Sequence, residues 1–248
     1  MSLYRDSGVV LRTIRLGESD RIVTILTAEH GKVRAVARGV RKTTSRFGSR
    51  LEPMSHVAML CWQGRELDIV NQVEVLDSFR AVREDLARLV KACSMLEVAE
   101  QISLERTPSP GLYEMLVGAL RVMQQGNPAL VVPAFFLKIL ALDGSAPVLD
   151  ECAACHGDGE LVAFDLAHGG ALCASCRRSR PVSADALRVM RLVLSGGLAR
   201  ALEEPPGAVA DEVSEIMAEA LEWHLERRLR SLRVGLSTAA HIVACVSR

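Results

Sequence analysis

The alternation of apolar and polar positions predicts β-strands in the first third of the chain. Val, Ile and Thr alternate with polar residues in five short segments, and Gly17, His30-Gly31 and Gln63-Gly64 separate them as turns. The predicted strands are residues 8–15, 20–28, 32–39, 56–62 and 66–76. Five short strands in so short a stretch are typical of an OB-type barrel, although another five-stranded antiparallel barrel or a sandwich has the same periodicity.

From residue 79 onward the apolar positions recur at a helical spacing. Val82, Leu86, Leu89 and Cys93 follow one another at close to 3.6 residues per turn, which places Cys93 on an apolar face. Further helix starts are predicted by a capping residue, a proline, or both. These signals are Ser109-Pro110, Asn127-Pro128, Ser183 and Pro206. The last predicted helix runs from residue 206 to about residue 234.

Two Cys-x-x-Cys pairs lie between the predicted helices, separated by 17 residues. Each pair lets two thiolates converge from one tight turn, and two such turns complete a tetrahedral zinc site. The candidate ligands are Cys152, Cys155, Cys173 and Cys176. The residues between the pairs predict a hairpin, with a strand at 160–165, a turn at Gly169-Gly170 and a return at 171–172. The pattern predicts a zinc ribbon with one structural Zn²⁺, closed by four thiolates.

The other interpretations of these cysteines fit less well. A redox Cys-x-x-Cys would need a βαβ context, and four core thiols would not be expected to repeat at this spacing. His156 and His168 lie beside the pairs and are interpreted as surface histidines. A zinc deaminase needs His-x-Glu before its Pro-Cys-x-x-Cys, whereas His224-Leu225-Glu226 follows both pairs. Because no other catalytic motif is found either, the chain is predicted not to be an enzyme.

Composition changes this picture mainly through the distribution of charge. The chain has 248 residues, of which 49% are hydrophobic, and its 30 Lys and Arg balance 30 Asp and Glu. Residues 1–50, however, contain eleven Lys and Arg against four acids, a net charge of +7, so the remainder carries −7. Such a polarity favours a nucleic-acid or membrane-surface role for the first part of the chain.

The positive charge is densest in residues 30–51, which hold seven Lys and Arg and no acid. Arg34 and Arg38 are predicted to project from one face of the third strand, which continues into a polar loop. Such a surface suits a phosphate backbone, although most charge runs are only solvated loops. The candidate DNA contacts are Lys32, Arg34, Arg38, Arg41, Lys42, Arg46 and Arg50. Aromatic residues are few, and Trp62 is expected in the core, so binding is predicted to be mainly electrostatic.

The chain is expected to be cytoplasmic, with reduced thiols. Its first ten residues, MSLYRDSGVV, carry charges and no apolar segment of the kind found in secretory signals. The most apolar window, residues 129–142, contains a proline and a lysine and is too short to span a bilayer. No membrane association is therefore predicted.

Two segments carry a family resemblance. Residues 17–39, GESDRIVTILTAEHGKVRAVARG, and residues 45–53, SRFGSRLEP, resemble the N-terminal part of the bacterial DNA repair family RecO. The four cysteines between helices and the total length agree with that family, and the resemblance extends over roughly residues 1–235.

The resemblance implies an α+β protein, with an OB-type barrel followed by a helical domain that contains an inserted zinc ribbon. We place the barrel domain at 1–80, the helical domain at 81–148 and 181–236, the ribbon at 149–180 and a tail at 237–248. The implied function is that of a recombination mediator of the RecF-type pathway, associated with the nucleoid. Such proteins bind single- and double-stranded DNA and anneal complementary strands without nucleotide hydrolysis.

The resemblance also implies partners. These are RecR, the C-terminal tail of single-stranded DNA-binding protein and, indirectly, RecA, which is loaded onto the coated DNA. From the residues alone, an RNA-binding or transcription-associated zinc-ribbon protein stays open as the alternative, since barrel and ribbon occur together there as well.

Overall fold

The computed structural model describes residues 2–41, 45 and 47–233 of the chain. Two compact units are present, Met1–Gln125 with the segment from Leu229, and Gly126–Arg228. The domain boundaries expected from the sequence stay a prediction. The proposed tail at 237–248 lies outside the described residues, as does Cys245.

The first unit begins with the predicted barrel. Its strands are β1 Leu3–Leu16, β2 Asp20–Thr27, β3 Gly31–Ala37, β4 His56–Trp62 and β5 Asp68–Asp77. They form a closed barrel in the order β1-β2-β3-β5-β4. The five-stranded OB-type barrel predicted from the sequence is therefore confirmed. The bounds of β2 to β5 are close to those expected, whereas β1 begins five residues earlier than predicted, at Leu3.

The long first strand is what closes the barrel. The first half of β1 pairs antiparallel with β4, the second half pairs with β2, and Gly8 and Val9 belong to both ladders. A short parallel pairing of β3 with β5, at Ala35 and Val36, completes the ring. Along β3 buried and half-buried residues alternate strictly, so one face fills the core and the other faces outward.

Helices make up most of the remaining chain. They are α1 Arg80–Arg83, α2 Leu86–Ile102, α3 Pro110–Gln125, α4 Val131–Leu142, α5 Ala184–Leu194, α6 Leu198–Ala201, α7 Ala208–His224 and α8 Arg230–Arg233. The predicted cap of α5 is confirmed, because the Ser183 side chain accepts a hydrogen bond from the Ala186 backbone. Cys93 is buried on α2, as expected.

The predicted start of α4 at Asn127-Pro128 is wrong. The helix begins at Val131, which places Pro133 in its first turn, where a missing N–H leaves no hydrogen bond unmade. A helix that began at Pro128 would carry Pro133 in its second turn, against the carbonyl group of residue 129. The second proline therefore decides the start.

The helix predicted over residues 206–234 is shorter than expected. α7 ends at His224, and Glu226 adopts a left-handed conformation with φ of +49°. The Arg227 N–H then donates to the Glu222 carbonyl at 3.1 Å, which closes the helix end in the manner of a Schellman motif. Since glycine usually occupies this position, the helix end has no signal in the sequence.

In the second unit a small sheet lies between α4 and α5 in the chain. It consists of β6 Leu161–Asp165, β7 Gly170–Cys173 and β8 Arg180–Pro181, in the order β7-β6-β8. The predicted hairpin corresponds to β6 and β7, and β8 is an addition that the sequence analysis missed. α4 packs against α7 and α5, so these three helices form the helical core of the unit.

Candidate nucleic-acid interface and metal centre

The four predicted cysteine ligands meet at one end of the small sheet. Their sulfur atoms all lie within 4.8 Å of one another. The sulfurs of Cys155 and Cys173 are 3.9 Å apart, close to the sulfur separation of about 3.8 Å that a tetrahedral Zn–S bond of 2.3 Å requires. This donor set therefore fits a tetrahedral metal ion.

Backbone groups around the cluster favour thiolates. The Cys173 N–H donates to the Cys152 sulfur at 3.4 Å, and this and neighbouring backbone N–H groups lower the pKa of the Cys152 thiol to about 6. The pKa of the Cys176 thiol is raised to about 12, because it donates hydrogen bonds to the neighbouring sulfurs, those of Cys155 and Cys173 first. The sulfurs are thus close enough to share protons when no cation neutralises the charge of the thiolates.

The two histidines beside the cluster are exposed and do not complete it. His156 Nδ1 lies 2.9 Å from a carboxylate oxygen of Glu151, and His168 pairs with Asp165. The His156 backbone has φ of +58° and its N–H donates to the Cys152 carbonyl at 2.8 Å, which forms the first cysteine turn. The interpretation of both as surface histidines agrees with these positions.

Arg34 faces outward from β3 as predicted, whereas the prediction that Arg38 lies on this strand is wrong, because β3 ends at Ala37. The backbone of Glu100 on α2 and the side chain of Glu105 behind it contact the cations of the strand. Lys32 Nζ donates to the Glu100 backbone carbonyl at 2.8 Å, and Arg34 lies 3.8 Å from the Glu105 carboxylate. Burial lowers the pKa of Lys32, against the opposing effect of Glu100 and Glu105. These two cations are therefore partly neutralised.

The cations beyond β3 are more open. Arg38 is exposed, with no hydrogen bond or ion pair to the part of the chain that the structure describes. Arg41 is also exposed and donates to the Glu18 carbonyl at 2.9 Å, which brings it beside the turn between β1 and β2. Arg50 is exposed on a 3₁₀ helix, Gly48–Leu51. Lys42 and Arg46 lie outside the described residues.

The expectation that Trp62 lies in the core is wrong. It ends β4, and 38% of its surface is exposed, because the strand turns its other face, with Cys61, into the barrel. The sequence analysis also passed over the exposed Arg15, which the register of β1 and β2 places opposite Arg21. The alternation along β4 places Trp62 on the face opposite Cys61, but it does not by itself say which face is the inner one.

A closed OB-type barrel with exposed cations, together with four cysteines placed closely enough to hold a metal ion, is typical of a class of nucleic-acid-binding proteins. The family comparison makes this specific. Residues 1–79 match the model of the N-terminal part of recombination protein O, and residues 83–233 match that of its C-terminal part. The chain belongs to the recombination protein O family, and is thereby a DNA-binding mediator of DNA repair and recombination. Among the described residues, no helix is both long enough and apolar enough to cross a membrane.

Proposed function

We propose that this chain anneals complementary single strands without hydrolysing a nucleotide, and that it helps RecA load on DNA coated by single-stranded DNA-binding protein. The exposed guanidinium groups at the end of β3 carry the proposal. Arg38 and Arg41 follow directly on β3, in a segment that the Arg41 backbone N–H fastens to the Ser19 carbonyl at 3.0 Å. Cations held in this way on a rigid barrel neutralise phosphates and release counterions, so two strands repel each other less.

We assign one structural Zn²⁺ to Cys152, Cys155, Cys173 and Cys176. The buried cluster around these cysteines is small and includes only Ala163 and Leu172 as fully buried apolar partners. Other buried residues of the sheet, such as Phe164 and Ala171, lie outside this cluster. The cysteine turns themselves therefore have few apolar contacts, and a bound ion would stabilise them. Four thiolates leave no open position on the ion, which supports a protein without catalytic metal chemistry.

The proposed partners are RecR and the acidic, apolar C-terminal tail of single-stranded DNA-binding protein. A cleft in the second unit suits that tail, with a volume of about 570 Å³ and a floor that includes Pro147 and Leu149. Arg188, Arg191 and Arg200 line it together with Asp150. Arg188 pairs with Asp185 and Glu204 and Arg191 pairs with Asp150, so the exposed Arg200 is the cation best placed to meet an acidic peptide. An acidic C-terminal peptide should bind in this cleft, and the substitution Arg200→Glu should lower its affinity. An unchanged affinity would show that the tail binds elsewhere.

Annealing of two complementary oligonucleotides, without ATP, tests the main proposal. The unsubstituted chain should accelerate annealing at low salt and lose the effect as salt rises. The double variant R38Q/R41Q should anneal more slowly and bind more weakly, with a salt slope reduced by about 0.7–0.9 for each lost phosphate contact. R80Q/R228Q removes the same charge from two exposed arginines outside the barrel and should behave as the unsubstituted chain.

Two results would contradict the proposal. One is annealing by the unsubstituted chain no faster than the spontaneous rate at any salt concentration. The other is tighter binding of RNA than of DNA oligonucleotides of equal length, which would favour the RNA-binding alternative. Equal effects of the two double variants would show that net charge matters and that the end of β3 does not.

A further inference from the structure

Trp62 lies on the outer surface of the barrel beside another exposed apolar residue. The strand register places it next to Leu3 of β1 and Ile69 of β5. Trp62 is 38% exposed and Leu3 is 45% exposed. Part of the indole is therefore exposed to solvent, where a planar ligand can reach it.

The chain on both sides of Trp62 is firmly held. The Gln63 backbone N–H donates to the Ser2 carbonyl at 2.8 Å, and the Ser2 hydroxyl donates to the Gln63 side chain at 2.6 Å. The Gly64 N–H donates to the carboxylate of buried Asp68 at 2.8 Å. The backbone that carries the indole is therefore fixed by hydrogen bonds, which reduces the entropy lost on binding.

The loop after Trp62, residues 63–67, is equally constrained. Gly64 has no room for a side chain, because a Cβ atom would lie 1.9 Å from the Leu67 carbonyl oxygen. Arg106 donates to the carboxylate of Asp68 at 2.8 Å, and this ion pair ties the loop to the residues behind α2. The loop is thus a fixed edge beside the indole.

Two exposed arginines flank this position. Arg5 lies opposite Leu60 in the register of β1 and β4, which makes it a diagonal neighbour of Trp62 on the same outer face. Arg65 is exposed in the loop, next to Glu66, the one acid of residues 63–67. An exposed aromatic side chain with one guanidinium group beside it on the sheet and another three residues along the chain matches an unpaired nucleotide, which offers a base to stack and phosphates to pair.

We propose that Trp62 is a base-stacking platform for single-stranded DNA, with Arg5 and Arg65 as its phosphate contacts. The inference rests on the proposed DNA binding and adds a residue that distinguishes single strands from duplexes. Bases in a duplex are stacked on each other and cannot cover the indole, whereas those of a single strand can. Stacking of this kind tolerates any base, as a protein that anneals arbitrary sequences requires.

Fluorescence can test this directly, because the chain contains two tryptophans. The variant W223F leaves Trp62 as the single reporter, and titration with an oligothymidylate should quench its emission in step with binding. W62F leaves Trp223, which is 61% exposed on α7, and its emission should not change. Anisotropy of a labelled oligothymidylate measures binding in the same samples.

Substitution provides the second readout. Trp62→Ala should weaken oligothymidylate binding about 5- to 150-fold, the range for loss of one stacked base. W62F should retain most of the affinity, and both variants should bind a duplex as the unsubstituted chain does. The exposed position of Trp62 predicts that both variants fold, which circular dichroism checks.

The outcomes separate this inference from the proposed function. Oligothymidylate binding in the anisotropy assay, with unchanged Trp62 emission and unweakened binding by Trp62→Ala, would overturn the stacking platform and leave DNA binding intact. A chain that binds neither the oligothymidylate nor a duplex would overturn the proposed function and this inference with it.

Discussion

At the scale of single residues, a buried histidine links the barrel to a helix of the same unit. His56 begins β4, and its Nε2 lies 2.8 Å from the Tyr113 hydroxyl of α3, which also contacts the Ser7 hydroxyl at 3.0 Å. The Nδ1 atom of His56 has no hydrogen-bond partner among the described residues. Burial, and secondly the charge of Arg121, lower the pKa of this imidazole.

The lowered pKa predicts a loss of stability in mild acid. As the pH falls below about 6.5, the unfolded state takes up a proton that the buried imidazole resists, so the free energy of unfolding falls. The loss is at most about 1.4 kcal/mol per pH unit for one such group. Denaturant unfolding between pH 5 and 8 should show a shallower pH dependence for His56→Gln than for the unsubstituted chain.

A second variant separates titration from the lost contact. Tyr113→Phe removes the hydroxyl but keeps the imidazole, and should lower stability while it retains the pH dependence. Identical pH profiles for His56→Gln and the unsubstituted chain would show that His56 titrates alike in both states, against the lowered pKa.

At the scale of elements, the small sheet of β6, β7 and β8 depends on contacts outside its own core. The Arg180 guanidinium pairs with Glu215 at 2.7 Å and Glu219 at 3.0 Å, both on α7. The Arg191 side chain, on α5, donates to the Leu149 carbonyl at 2.9 Å. Contacts with α5 and α7 thus hold the two ends of residues 149–180, and the four cysteines lie between these ends.

Loss of one cysteine ligand should therefore destabilise the second unit. Cys176→Ser should bind little or no zinc and lose on the order of 3 kcal/mol, a fraction of the roughly 10–16 kcal/mol of zinc binding in small fingers. For a unit of the size of residues 126–228 this corresponds to a fall in Tm of roughly 12–24 °C. Metal content by a colorimetric chelator and thermal melting measure both effects. Ala154→Ser, at the exposed position next to Cys155, leaves all four ligands in place and is the matched control.

A different result would make the metal peripheral. If chelation removed zinc from the unsubstituted chain and its Tm stayed the same, the helices alone would hold the sheet. The same conclusion would follow if Cys176→Ser lost zinc but had the same Tm as Ala154→Ser.

At the scale of the whole molecule, the charge count of the sequence overstates the field of the barrel. Acids far along the chain pair with its cations, with Glu100 3.4 Å from Arg12 and Glu52 2.6 Å from Arg21. Arg34 lies 3.8 Å from Glu105, and both side chains are about half exposed. Such exposed pairs add little stability but reduce the positive potential that DNA meets.

Removal of Glu105 should therefore strengthen DNA binding. Glu105→Gln leaves Arg34 unpaired and should tighten single-strand binding about two- to fivefold at low salt, with the difference fading as salt screens the charges. Anisotropy titrations at two salt concentrations measure this. Glu114→Gln, on α3, removes the same charge elsewhere, and an equal gain from both would exclude a local effect of the Arg34 pair.

Much of the fold was predictable because its signals are local. The five strands follow from an alternation of apolar and polar residues with a period of two. The cap of α5 follows from a serine, Ser183, three positions before Ala186, from whose N–H it accepts a hydrogen bond. Where a local signal is missing, the prediction was wrong, as at the glycine-free end of α7. At α4 a second local signal decided the helix start. Pro133 would clash inside a helix that began at Asn127-Pro128, however favourable those two residues are as a helix start.

The candidate sites divide in the same way. The sequence by itself determined the barrel strands and the four cysteines, because alternation and short spacings depend only on near neighbours. The tertiary structure decided which cations stay open, since Glu100 and Glu105 reach Lys32 and Arg34 across about seventy residues. It also decided that Trp62 faces outward, because a strand's inner face is set by the partners that close the barrel, here β1 and β5.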